Sequence, residues 1–132
     1  MAVTNIDNQS DRLKNELEKF FISSFKTHKR KGYCITRDVM SVLLDKWSLL
    51  VLYNLAYYDT LRFGEIRSNI KDVSSRMLSV TLKKLEEHDL VIRKSYNEVP
   101  PKVEYSLSQL GIELADKSLD LNKWFLEKFV SS

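Results

Sequence analysis

The side chains able to do chemistry in this chain are cations and small hydroxyls, not acid–base pairs. Ser75, Arg76, Ser79 and Lys83 fall at helical spacing, so they share the outward face of one helical segment. That mixture suits a polyanion. An arginine fork matches a guanine edge or a phosphate, a serine hydroxyl donates or accepts at short range, and a lysine adds a mobile point charge. The acids of the same segment, Glu86, Glu87 and Asp89, come only at its far end. Lys94 and Lys102 flank a later turn, where contact with phosphate would add affinity and salt dependence without sequence information. Arg93, beside them, can face the same partner or pair with a nearby acid. Cys34 lies by Lys31 and Arg37, just before a segment that opens as a helix near Asp38. Cations and a helix amino terminus both favour the reactive thiolate. The alternative is a half-buried cysteine packing as a small apolar residue.

Other chemistries are argued against. One cysteine excludes an internal disulfide and, with only His28 and His88 for company, speaks against a zinc site. Oxidation of Cys34 would have to end as a sulfenate, a mixed disulfide or a bridge between two copies. Gly32, Gly64 and Gly111 cannot build a phosphate-cradling loop, and no nucleophile has a base at motif spacing. Neither an enzyme nor a cofactor is expected. The 132 residues make one domain, and the net charge of +3 is mild, so the placement of charge matters more than its total. Met1 to Leu13 is polar and contains acids, unlike a signal peptide, and the longest apolar stretch, Leu49 to Tyr58, is broken by Asn54 and too short to span a bilayer. A soluble cytoplasmic protein is expected.

The elements that must hold these residues are mainly helical, since the chain has only 3 glycines and 2 prolines. Leu13, Leu17, Phe20, Phe21 and Phe25 mark one face of a first helix, with Ser10 as its cap. It fades into the basic run Lys26 to Lys31, which could meet a nucleic-acid backbone but can equally complement a helix dipole. A short helix over Asp38 to Leu44 precedes Lys46 to Tyr58, whose apolar residues lie all round, as in a central buried helix. Leu61-Arg62-Phe63 is at most a strand stub. Phe63 to Ile70 is a short helix, Lys71-Asp72-Val73 a tight connection, and Ser74 caps a helix running to about Asp89 with Leu78, Leu82 and Leu85 inward. Met40 and Met77 fall where core is expected. Leu90 to Tyr96 and Lys102 to Leu107 make a β-hairpin. Ser108 to about Val130 is a long helix with two apolar stripes, Leu110, Leu114, Leu121 and Phe125 in one, Ile112, Leu119 and Leu126 in the other.

Helix, helix, short strand, helix, tight turn, helix, hairpin, helix is the order of a mainly α (α+β) winged helix-turn-helix, in which the helix after Ser74 would enter the major groove of double-stranded DNA. Lys46-Trp47, Arg62-Phe63-Gly64-Glu65-Ile66-Arg67, Ser74-Ser75-Arg76-Met77-Leu78, Leu82-Lys83-Lys84-Leu85-Glu86 and Val99-Pro100-Pro101-Lys102-Val103-Glu104-Tyr105-Ser106-Leu107 together resemble the HxlR-type winged-helix transcriptional regulators, relatives of the multiple-antibiotic-resistance regulators. The resemblance runs over roughly Cys34 to Leu114, with the hairpin string its most specific part. It implies a homodimeric DNA-binding regulator with the first and last helices at the dimer interface. Cys34 stands twelve residues before Lys46, where several members of that family carry a cysteine that senses oxidants or electrophiles. This chain departs from the family at Ile35, where proline is usual, and at Leu44-Asp45, where two glycines are usual.

The expected organisation is therefore residues 1–33 as a dimerising extension, 34–107 as the DNA-binding domain and 108–132 as a second dimerising helix. The expected partners are a pseudo-palindromic duplex, a second copy of the chain and a small electrophile. Trp47 and Trp124 read as packing or dimer anchors, although a cavity between them could hold an aromatic effector. A protein-interaction module on the same scaffold is the alternative from another class.

Overall fold

The computed structural model describes residues 8–20 and 45–130, in a chain that divides into two compact units, Met1–Ser41 and Val42–Ser132. In the first unit, residues 8–20 form helix α1, exposed along its length, with Leu13, Leu17 and Phe20 among its exposed apolar residues. Helix is already present at residue 8, so Ser10 lies inside α1 and does not cap it. Apolar spacing locates a helical face, whereas polar residues can carry the helix further upstream. Cys34, Met40, the basic run Lys26 to Lys31 and the segment Asp38 to Leu44 lie outside the described residues.

The second unit begins with α2, Lys46–Tyr58, capped by Asp45, whose Oδ1 accepts from the Trp47 N–H at 3.0 Å. Ser48, Val51, Leu52 and Leu55 of α2 are buried, which makes it the central post of the core. Asp59 ends it with a positive φ (φ 69°, ψ −60°), a backbone turn that does not continue the helix, and its N–H still closes on the Leu55 carbonyl. Then follow β1 (Thr60–Leu61), α3 (Phe63–Asn69), α4 (Ser75–Glu87), β2 (Val91–Tyr96), β3 (Lys102–Leu107) and α5 (Gln109–Phe129). The strands form one antiparallel sheet in the order β1-β3-β2. The strand stub at Leu61 thus gains a partner, Tyr105 of β3.

α5 docks on this core by its small residues. Gly111, Ala115 and Ser118 are buried, whereas Leu110, Ile112, Leu119, Leu121, Phe125 and Leu126 are exposed. Small side chains let the helix axis come close. At Gly111 the approach is so tight that an added Cβ would stand 2.2 Å from the Leu90 carbonyl oxygen. Ser108 fixes the start of α5 from both sides, its Oγ accepting from the Gly111 N–H at 3.0 Å and donating to the Asp89 carbonyl at 2.6 Å. Farther along, Asn122 donates to the Tyr53 hydroxyl, which is 2.9 Å from the Ser118 hydroxyl. Ser118 donates its own proton to the Ala115 carbonyl at 3.0 Å, so Tyr53 must be the donor to Ser118. The relay ties α5 to α2 and leaves none of these buried hydroxyls unsatisfied.

Candidate nucleic-acid interface

α3 and α4 meet through a turn in which Ile70 and Val73 are buried and Asp72 takes the left-handed conformation (φ 68°). Ser74 caps α4, its Oγ accepting from the Met77 N–H at 3.0 Å. Leu78, Thr81, Leu82 and Leu85 hold α4 against the core. The opposite face presents Ser75, Arg76, Ser79, Val80 and Lys83, all exposed. Among the described residues no ion pair occupies Arg76 or Lys83. The helix is 13 residues, roughly 20 Å, which matches the reach needed along a major groove. Val80, 55% exposed between these polar groups, offers the apolar surface that suits a thymine methyl. Met77 is 40% exposed and does not join the core. It precedes Leu78 by one residue, about 100° round the helix, which turns it to the edge of the outer face.

Lys83 and Lys84 are adjacent but diverge. Lys84 turns inward to Asp45, its Nζ 2.6 Å from Oδ2 with both side chains about one-quarter exposed. One carboxylate therefore caps α2, accepts from Ser48 and anchors α4. Burial alone would raise the Asp45 pKa, but hydrogen bonds from Lys84, the Trp47 N–H and Ser48, with the Lys84 charge, outweigh it and hold the carboxyl below its ordinary 3.8. A depressed folded-state pKa means that the stabilisation is complete above the unfolded-state value and is lost as pH falls through the folded-state one. Asp45→Ala, which removes cap and ion pair, is expected to cost about 1–2 kcal/mol at neutral pH. Asp45→Asn keeps the cap and loses the pair, so its melting-temperature deficit against wild type should close as pH falls below 3.8. Equal deficits at pH 7 and in that acid range would contradict the assignment.

In the hairpin, Lys94 pairs in register with Glu104 and Tyr96 with Lys102, which puts these four residues on one face. Lys94 is exposed, its Nζ 5.0 Å from the centre of the Tyr96 ring. Lys102 is half-buried and paired with Glu104 at 2.8 Å. Arg93, opposite Tyr105, is exposed on the other face. The structure thus brings Ser75, Arg76, Ser79 and Lys83 onto one helical face and Lys94 and Lys102 onto one hairpin face, while Cys34 falls outside the described residues.

Trp47 packs partly buried on the core, whereas Trp124 is exposed and stacks edge-on with Phe125 and Phe129, ring centres 5.4 and 6.0 Å away. A hollow of about 430 Å³ between α2 and α5 is lined by Tyr53, Ala56, Tyr57, Ile112, Ala115, Asp116 and Leu119, and by neither tryptophan. Among the described residues no group of histidines, cysteines and acids could hold a metal, and no helix is long and apolar enough to cross a membrane.

Comparison with known proteins places this geometry among regulators. A model of the HxlR-like helix-turn-helix family matches residues 42–131. The HTH-type transcriptional regulator YkvN of Bacillus subtilis is 41% identical over 93 residues, covering 70% of this chain and 75% of YkvN. The reduced form of the transcriptional regulator YodB from B. subtilis superposes with a TM-score of 0.64 at 29% identity, over 74% of this chain and 96% of YodB. The redox regulator HypR in its oxidized form superposes at 0.63 with 32% identity, over 74% of this chain and all (100%) of HypR.

Proposed function

The chain belongs to the HxlR-like helix-turn-helix family of transcriptional regulators, and from that premise we propose that it binds double-stranded DNA as a homodimer, with α4 in the major groove. The observation that carries the proposal is the outer face of α4, open to solvent, cationic and free of ion pairs to described residues. Ser75 and Arg76, at its amino-terminal end, reach base edges. Ser79 and Lys83 follow along the groove, and Lys94 and Lys102 of the hairpin take flanking phosphates. Two copies set about 34 Å apart would read a pseudo-palindrome. Support for the twofold comes from α5, which leaves Trp124, Phe125, Leu126 and Phe129 exposed, an apolar cluster that gains by meeting its own copy. In this proposal residues 1–33 and 108–132 serve dimerisation and residues 34–107 serve DNA. Cys34 is the thiol through which a small oxidant or electrophile changes DNA affinity, in line with the likeness to the redox regulator HypR.

Titration of a labelled upstream duplex at several salt concentrations tests this. Affinity should fall steeply and log-linearly with salt. Diamide should shift it in wild type and leave Cys34→Ser unmoved. Salt-independent binding, or none to upstream fragments, would favour a protein-interaction module instead. A small-molecule response that survives in Cys34→Ser would move the effector to a non-covalent ligand, for which the α2–α5 hollow has the size of an ordinary ligand site.

A further inference from the structure

The hairpin face that carries Lys94 and Lys102 holds an internal anion and is flanked by a third cation from the end of β1. β1 pairs with β3 at Thr60–Ser106 and Leu61–Tyr105, so the chain leaves the sheet at Arg62, next to the Glu104 register position. Arg62 is exposed and stands close enough for its charge to act on both Lys102 and Glu104. Lys94 and Lys102 both lie over the Tyr96 ring, their Nζ atoms 5.0 and 4.9 Å from its centre. Glu104 faces this group, 2.8 Å from Lys102 and 3.4 Å from the Tyr96 hydroxyl. Two lysines thus converge on one tyrosine and one carboxylate, with Arg62 at the neighbouring register position. The Lys102 hydrogen bond is the chief reason that the Glu104 carboxyl sits below its ordinary pKa, and the same bond raises Lys102.

We infer that Arg62, Lys94 and Lys102 form one phosphate-binding cluster for the DNA backbone, in which Glu104 occupies the anion position and is displaced when DNA binds. This rests on the DNA-binding proposal above and adds Arg62 as a contact and Glu104 as a built-in competitor. A carboxylate held against Lys102 mimics the charge and the acceptor geometry of a phosphate oxygen, so free protein keeps Lys102 neutralised and ordered. DNA must exchange that partner for its own. The wing therefore contributes less affinity than its three cations would supply, and binding begins from a folded, pre-paired surface.

The salt dependence of duplex binding separates the outcomes. Each phosphate neutralised adds about 0.9 to the slope of log affinity against log salt, so between 50 and 200 mM salt each contact is worth roughly threefold. Glu104→Gln, nearly isosteric, is expected to bind the duplex several-fold tighter at 50 mM salt with the wild-type salt slope, because Lys102 meets phosphate in both complexes and only the competing anion is gone. Arg62→Ala is expected to bind more weakly, with a loss about threefold smaller, and Arg62→Lys to restore most of both. Melting temperatures report whether each variant is folded, and all three should melt with wild type. Wild-type affinity in Glu104→Gln, or wild-type affinity and slope in Arg62→Ala, would overturn the cluster while leaving α4 as the DNA-binding element. Absence of wild-type binding to any duplex would instead overturn the DNA-binding proposal beneath it.

Discussion

Arg76→Ala should leave the protein folded and still bound to DNA, yet much less able to tell its site from a variant changed at one base pair. A bidentate arginine on guanine supplies about 1–3 kcal/mol of discrimination, so the ratio of specific to mismatched affinity should fall by roughly 5- to 150-fold. Arg76 is exposed and spends nothing on an internal ion pair among the described residues, so folding has little to lose. Surface changes of this kind usually stay within about 0.5 kcal/mol. Lys83→Ala should behave differently, weakening all duplexes alike and flattening the salt slope by about 1. Competition binding against a panel of single-base variants checks both. Undiminished discrimination in Arg76→Ala would remove it from base contact.

Gly111→Ala should destabilise this fold although it adds a single methyl. Alanine in place of a helical glycine ordinarily stabilises by about 1 kcal/mol. Here the new Cβ would meet the Leu90 backbone oxygen at 2.2 Å and Leu107 Cδ2 at 3.2 Å. A backbone oxygen cannot rotate away, so α5 must lift from the start of β2 and loosen the seating of Ala115 and Ser118 behind it. Overpacking of this kind costs about 1–3 kcal/mol or more, which outweighs the propensity gain. A net loss of about 2 kcal/mol corresponds to roughly 10 °C in melting temperature for a unit of this size. Gly64 is the control. It is also helical, but a Cβ added there would have nothing within 4 Å, so Gly64→Ala should melt at or above wild type. Thermal melts of the pair decide it, and equal melting of Gly111→Ala and wild type would show that α5 does not sit so close to Leu90.

Local signals carry much of the fold. Ser74 and Ser108 stand before apolar periodic runs and cap helices as that residue type should. The all-round apolar stretch after Lys46 is the buried α2, and the run from Val91 to Leu107 is the hairpin. What escapes depends on partners distant in sequence or on size. Asp45 reads as a departure from a glycine pair, although an aspartate directly before an apolar run is itself a cap signal. Its ion pair with Lys84 joins positions 39 residues apart, which no local pattern reveals. In α5 the two apolar stripes are legible, but which residues dock is set by close packing, which selects Gly111, Ala115 and Ser118 with Leu114 partly buried beside them and leaves most of the large apolar residues exposed. Arg62 and Glu104 sit on different elements and become neighbours only through the register of β1 on β3. The outer face of α4, by contrast, is readable from helical spacing alone, because a single helix positions all of it.

Chemical protection of guanine N7 asks most directly whether α4 enters the major groove, since that atom is exposed only there. With the wild-type protein bound to its upstream duplex, two clusters of protected guanines should emerge, centred about one helical turn apart and lost together when Arg76 and Lys83 are both alanine. Full methylation of every guanine N7 within a site that the protein demonstrably occupies would contradict the placement of the outer face of α4, with Ser75, Arg76 and Ser79, in the major groove.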